Sequence, residues 1–118
     1  FYSVEMGFTD KYFEIGFSTF TLEDNYRYIK ECLLGEKLVP RYRLHNVNKK
    51  LLHVVAVLEN ESRDICAFYE TILGHIDMNS RKTSEMQEDF LSNLIALMQE
   101  SSNIKIEMDL RLKIKDLA

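Results

Sequence analysis

The last part of the chain alternates strictly between apolar and charged side chains. Apolar residues occupy every even position from Ile104 to Ile114, and charged residues occupy every odd position between them. Successive side chains of a β-strand point to opposite faces, so this pattern buries one face and exposes the other. A helix would scatter the same six apolar side chains around its axis. Residues 103–115 are therefore predicted to form a half-buried strand, about twice the usual length.

The first third of the chain combines a predicted hairpin with a predicted helix. Seven of the thirteen aromatic residues lie within residues 1–20, and the apolar positions there alternate, which predicts a β-hairpin. Residues 22–34 instead carry apolar side chains at spacings of three and four. This spacing predicts a helix that ends at Gly35.

The middle of the chain predicts a second hairpin. Residues 38–45 alternate again, while residues 51–58 are apolar on both faces, as in an interior strand. Pro40 lacks a backbone donor, which places the first of these strands at a sheet edge. A three-residue turn between them would put Leu44 opposite Leu52 and Arg43 opposite His53.

Two further helices complete the predicted fold. Residues 62–76 and a segment from about residue 84 to 98 both show apolar stripes at helical spacing. The resulting element order is β-β-α-β-β-α-α-β. We therefore expect an α+β class and one compact domain over residues 1–118, with a mostly antiparallel sheet of about five strands and three helices on one face. Because the chain starts at Phe1 without a leader, it is expected to be an excised fragment or a trimmed chain.

No sequence motif for catalysis or cofactor binding was found. The three histidines and two cysteines lack metal-ligand spacing, and the nucleophile elbow, the phosphate-binding loop and the dinucleotide fingerprint are all missing. We therefore expect no catalytic residue, no metal, no cofactor and no enzyme activity. Cys32 and Cys66 fall in predicted helices and are expected to be buried free thiols, which favours an intracellular location, cytoplasmic or nuclear. No apolar run is long enough to cross a membrane, so no membrane partner was expected.

The middle of the chain is locally basic. Residues 37–58 contain five basic residues and no acidic one, within a chain of net charge −4. Part of this segment is a candidate surface for a partner or an anion: Arg41, Tyr42, Arg43, Lys49 and Lys50. Nucleic-acid domains are usually basic throughout, whereas the pI here is near 5.4, so nucleic acid is the less favoured partner.

These observations together favour a non-catalytic protein-protein interaction or assembly module. It would bind another protein or a second copy of itself, as in a homodimer, through a strand edge or a helix face. The charged face of the last predicted strand is the candidate self-association surface: Lys105, Glu107, Asp109, Arg111 and Lys113. One alternative is a nucleic-acid-binding or regulatory domain that uses hairpin 37–53. Another is a small-molecule-binding domain with an apolar pocket, in which Tyr2, Tyr12 or Tyr26 supplies a polar group.

Overall fold

The computed structural model describes residues 1–117 and is built on an antiparallel sheet. In chain order the elements are α1 (Asp10–Glu14), β1 (Phe17–Tyr28), β2 (Val39–Val47), β3 (Leu51–Glu59), β4 (Ile65–Asp77), β5 (Lys82–Thr83) and α2 (Glu88–Ser101). The strand order across the sheet is β1-β4-β3-β2, and the short β5 pairs with β4. The α+β class and the five-stranded antiparallel sheet are confirmed. The described residues form two helices rather than the three predicted.

Different parts of the chain cover the two faces of the sheet. The first face is covered by the N-terminal residues and by α2, and its core includes these buried side chains: Met6, Phe8, Tyr12, Leu44, Val47, Leu52, Val54, Leu91 and Leu94. The second face is covered by residues 103–117, called here the C-terminal segment, and its core centres on Val55, Val57 and Ile106. Both helices therefore lie on one face, as predicted.

The helix predicted for residues 22–34 is wrong, because β1 continues to Tyr28. A β-bulge at Leu22, between Thr21 and Glu23, changes the alternation of side chains partway along this strand. The bulge and the exposed apolar side chains of Leu22 and Ile29 together imitate the spacing of a helix. The hairpin predicted for residues 1–20 is also wrong, since this segment forms turns and α1 before β1 begins.

The helix predicted for residues 62–76 is wrong as well, because this segment forms β4. This strand lies between β1 and β3 and is covered on both faces, so its apolar residues occupy both parities. A run that is apolar on both parities also satisfies spacings of three and four. The third predicted helix is confirmed as α2, although it begins at Glu88.

The predicted hairpin in the middle of the chain is confirmed as β2 and β3, with β2 and its Pro40 at the sheet edge. The register differs by two residues, because Leu44 pairs with Val54 and Arg43 with Val55. The turn keeps three residues but lies one residue later than predicted, at residues 48–50, and a bulge near His45 shifts the ladder further. A two-residue shift preserves the faces, so Arg43 and His53 still lie on the same side of the sheet.

The strand predicted for residues 103–115 is wrong, although the segment has one inward and one outward face as predicted. Every even residue from Ile104 to Ile114 is buried or half-buried, and every odd residue between them is exposed. The backbone forms no sheet ladder. Instead, side chains of the sheet bind it: Arg43 donates to Ile104 O at 3.1 Å, and Asn48 donates to Lys115 O at 2.9 Å. The segment lies flat across the second face instead of extending an edge.

Neither of the described helices is long and apolar enough to span a bilayer.

Candidate functional site

A groove lies on the first face between the N-terminal turn and the sheet. Its volume is about 430 Å³, and it is lined by Phe1, Tyr2, Met6, Thr19, Thr21, Tyr42, Val54, Tyr69, Thr71 and Leu73. A second hollow of about 440 Å³ shares Tyr42 and Tyr69 with it and continues past Tyr26 and Tyr28. We call the two together the first-face groove. A mostly apolar groove with a few converging polar groups is typical of a small-molecule site.

The polar side chains that line the groove are hydroxyls, and one of them binds a carboxylate beside the groove. Up to Thr21 the odd-numbered residues of β1 point to the first face. The bulge at Leu22 transfers this face to the even-numbered residues, so that Asp24 becomes the cross-strand partner of Thr71. Tyr69 Oη donates to Asp24 Oδ1 at 3.0 Å, and Thr71, only 4% exposed, donates its hydroxyl to Glu23 O at 3.2 Å. A carboxylate held by a phenol beside an apolar groove can accept a proton from a water molecule.

Burial and the neighbouring Asp24 keep the Tyr69 phenol protonated. The pKa of Tyr69 is raised to about 12, first by burial and then by its hydrogen bonds with Tyr26 and Asp24 and the charge of Asp24, which together outweigh the lowering effect of Thr71. Tyr69 therefore acts as a donor throughout the neutral range, and Asp24 is the acceptor. The side chain of Asp24 is exposed and so is accessible to water.

A second polar pair on the first face fastens α1 to the sheet. Tyr12 Oη lies 2.6 Å from His75 Nε2, and His75 Nδ1 lies 2.9 Å from Ser84 O. Because Ser84 O can only accept, Nδ1 carries the proton and Nε2 accepts from Tyr12. Both side chains are buried, and Phe90 of α2 stacks on Tyr12 at 4.3 Å between ring centroids. Tyr12 and His75 do not line the groove, and their hydrogen bond stabilises the core.

The second face contains a buried histidine and glutamate. His53 Nε2 lies 3.0 Å from Glu70 Oε2, with the two residues 2% and 0% exposed. The other Glu70 oxygen accepts the Arg111 backbone N–H at 2.7 Å, so this carboxylate ties the C-terminal segment to β4. The ring of His45 meets that of His53 edge to face at 5.0 Å, and burial together with His53 and Arg43 lowers the pKa of His45. The ring against His53 is therefore that of His45, whereas the sequence predicts Arg43 as the neighbour of His53.

The predicted basic surface is divided between two faces and a turn. Arg41 donates to Glu59 at 2.7 Å and Arg43 to the C-terminal segment, so both guanidiniums on the second face are engaged within the chain. Tyr42 points to the other face and stacks on Phe1 at 5.4 Å. Lys49 and Lys50 lie exposed in the β2–β3 turn. The five residues do not form one continuous surface.

The residues predicted for self-association are exposed but do not belong to a strand. Lys105, Glu107, Asp109, Arg111 and Lys113 point to solvent from the irregular C-terminal segment. The ladder edge on which that hypothesis depended is therefore lacking in this segment. Among residues 1–117, His, Cys and carboxylate side chains form no cluster of three that could hold a metal ion.

Asp24, Tyr69 and Thr71 are not predicted as site residues by the sequence. All three lie in segments predicted as helices, where they would not have faced a common groove. The available signal was composition, because residues 65–77 are rich in β-branched and aromatic side chains, which favour strands.

Comparison of the sequence with models of known families shows which family the chain belongs to. Residues 1–94 match the model of the thioesterase-like superfamily, which is most of the chain and includes every residue of the first-face groove. No curated protein matches the chain in sequence.

Solved structures share the same fold. A hypothetical protein from Staphylococcus aureus in complex with CoA is 22% identical, with a TM-score of 0.84 over 97% of this chain and 73% of that one. The DHNA-CoA thioesterase of Staphylococcus aureus is 17% identical, with a TM-score of 0.75 over 90% of this chain and 74% of that one. At these identities the likeness establishes the fold, the hotdog fold of thioesterase-like proteins.

The comparisons overturn two predictions made from the sequence. The family match contradicts the prediction of a non-catalytic interaction, assembly or regulatory module. It also contradicts the prediction that the chain is not an enzyme. Sequence motifs could not reveal this, because the nucleophile elbow, the metal-ligand spacings and the nucleotide-binding motifs indicate serine nucleophiles, metals and nucleotide phosphates. The first-face groove instead offers hydroxyl groups, with the carboxylate of Asp24 bound to Tyr69 beside it.

Proposed function

Since the chain belongs to the thioesterase-like superfamily, we propose that it hydrolyses the thioester bond of acyl-coenzyme A substrates. The observation that carries the proposal is the family match over residues 1–94, within which the whole first-face groove lies. Two proteins of the same fold support the substrate class, since one is bound to CoA and another is a DHNA-CoA thioesterase.

The groove supplies a surface for the acyl group. Its floor is formed by apolar side chains of the sheet, among them Val54 and Leu73, and Met6 closes it from the N-terminal turn. Burial of an acyl chain there gains about 0.8 kcal/mol per methylene. The more exposed tyrosines at the outer end, Tyr26 and Tyr28, offer rings and hydroxyls to the polar pantetheine arm.

Asp24 is the proposed general base. It would take a proton from a water molecule whose oxygen attacks the thioester carbonyl carbon, and the negative charge would develop on the carbonyl oxygen. Collapse of this intermediate breaks the carbon–sulfur bond, and coenzyme A leaves as the thiol with the proton that Asp24 accepted. The Tyr69 hydroxyl fixes the orientation of the Asp24 carboxylate. Hydroxyls beside the groove, such as that of Thr21, are available to the oxyanion.

The test is hydrolysis of a panel of acyl-CoA thioesters, followed by detection of the released thiol. We expect Asp24→Asn to lower kcat by about 10²- to 10⁴-fold, the usual contribution of a positioned base. The matched control is Glu14→Gln, which removes an exposed carboxylate at the end of α1. Wild-type protein that releases no thiol from any member of the panel would refute the proposed activity. Full activity of Asp24→Asn would instead exclude Asp24 as the base.

An intracellular location accords with this proposal, because coenzyme A thioesters are intracellular metabolites. The family match gives no support to the nuclear location that the sequence left open.

A further inference from the structure

The two cysteines of the chain lie at the same hollow, away from the residues that line the inner groove. This hollow, about 490 Å³ in volume, is lined by both Cys32 and Cys66, together with Tyr28, Leu58 and other residues. Cys66 is buried at the start of β4, and Cys32 is exposed in the loop that joins β1 to β2. The prediction that both are buried in helices is wrong on the secondary structure of both and on the burial of Cys32.

The backbone holds the loop against Cys66. The N–H groups of Ile29 and Lys30 both donate to Cys66 O, at 2.8 and 3.1 Å. Lys30 Nζ also lies 2.7 Å from Asp64 Oδ2, two residues before Cys66. Cys32 is therefore fastened near Cys66 by contacts on the residues that precede each of them.

The Cys66 thiol donates to Asp64 O at 3.8 Å, at the hollow that it shares with Cys32. The neighbouring Cys32 thiol and, after it, burial raise the pKa of Cys66. Both cysteines are free. Of the two, exposed Cys32 is the thiol that a soluble oxidant reaches first, and Cys66 is positioned to react next.

We propose that Cys32 and Cys66 are a redox-active pair that closes into a reversible intramolecular disulfide. Hydrogen peroxide oxidises the Cys32 thiolate to a sulfenic acid and is itself reduced to water. The Cys66 sulfur then attacks the Cys32 sulfur, the S–S bond forms, and the sulfenic oxygen leaves as a second water. Two electrons pass from the thiols to the peroxide, and a dithiol returns them on reduction.

The disulfide would fix one wall of the groove's outer end. The cysteine hollow shares Tyr28, Leu58 and Ala67 with the outer hollow of the first-face groove. The tethered loop carries the exposed apolar side chains of Leu33 and Leu34. Oxidation would hold this loop on β4 covalently, whereas the reduced loop is held by backbone hydrogen bonds and the Lys30–Asp64 ion pair. The proposal concerns the thiols and does not depend on thioester hydrolysis.

The test is intact-mass spectrometry of the whole chain after treatment with hydrogen peroxide and alkylation under denaturing conditions. We expect the monomer mass to fall by about 2 Da with no thiol left to alkylate, and dithiothreitol to restore both thiols. The chain has only two cysteines, so this mass change can have only one assignment. The oxidised protein should also melt several degrees higher, because the bridge constrains the unfolded chain.

The single variants Cys32→Ser and Cys66→Ser are the controls. In Cys66→Ser we expect peroxide to leave Cys32 as a sulfenic acid, which dimedone labels, or as a disulfide-linked dimer. In Cys32→Ser the buried Cys66 should resist oxidation. The proposal is overturned if wild-type protein keeps two alkylatable thiols under peroxide that fully oxidises glutathione. It is equally overturned if the wild-type product is a disulfide-linked dimer.

Discussion

Single residues show how this fold places polar groups in its interior. Tyr12 and His75 are both buried and lie far apart in sequence. Tyr12 donates a hydrogen bond to His75 Nε2, and Ser84 O accepts one from His75 Nδ1–H. Both groups are neutral in this arrangement. A proton on His75 Nε2, or loss of the Tyr12 proton, would leave two donors or two acceptors facing each other in a dry core.

The free energy of unfolding should therefore fall at both ends of the pH scale. Burial lowers the pKa of His75 below its ordinary value of 6.5, so below that pH the unfolded chain binds a proton that the folded chain resists. The contribution of His75 to stability is fully present above pH 6.5, and it is lost as the pH falls toward the pKa of His75 in the folded state. Burial raises the pKa of Tyr12 from 10.0 to about 12, so stability is lost between those values as the pH rises.

Urea unfolding at a series of pH values would measure both effects. His75→Gln should reduce the loss of unfolding free energy as the pH falls. Tyr12→Phe should reduce the loss as the pH rises above 10. His45 and Tyr69 have pKa shifts in the same directions, so each variant should keep part of the slope. Wild-type pH profiles in both variants would contradict the assignment. No sequence pattern predicts this pair, because its two members come together only when α1 packs beside β1 and the Tyr12 side chain reaches His75 on β4.

At the scale of elements, the C-terminal segment shows that alternating burial of side chains and pairing with a neighbouring strand are separate properties. Alternation specifies which side chains are buried, and here it does so from Ile104 to Ile114. Alternation does not specify a hydrogen-bonded neighbour. The strands beneath the segment already pair with each other, so it binds through side chains such as Arg43 and Glu70 instead. For β1 and β4 the periodicity itself was ambiguous, because of a bulge in one and burial of both faces in the other.

Substitutions at two adjacent positions should therefore differ sharply. Ile106 is 6% exposed against Val55 and Val57, and its replacement by alanine should lower the free energy of unfolding by about 2–5 kcal/mol. Glu107 points to solvent, and Glu107→Ala should change it by less than about 0.5 kcal/mol. Chemical denaturation of the two variants measures both values. Equal losses would mean that the segment does not bury its even-numbered face.

At the scale of the whole molecule, the two faces of the sheet have different roles. The first face forms the groove, with Asp24 beside it on β1, and the second face is covered by the C-terminal segment. The fold class and the β2–β3 hairpin could be predicted because β2 alternates and β3 is a short run that is apolar on both faces, and both patterns are local. The sequence could not predict the groove, whose residues come from β1, β2, β3, β4 and the N-terminal turn. Only the strand order β1-β4-β3-β2 brings them together.

The separation of the faces predicts that catalysis and stability respond independently. Asp24→Asn should lower kcat and leave the melting temperature near that of the wild type, because this carboxylate is exposed. Ile106→Ala should lower the melting temperature and leave kcat/KM unchanged well below it. In the double variant the two effects should add within about 0.5 kcal/mol, as for sites without shared partners. A larger coupling, measured by a double-mutant cycle in both kinetics and unfolding, would show that the C-terminal segment reaches the groove through the sheet. The groove would then have to be described as a property of both faces.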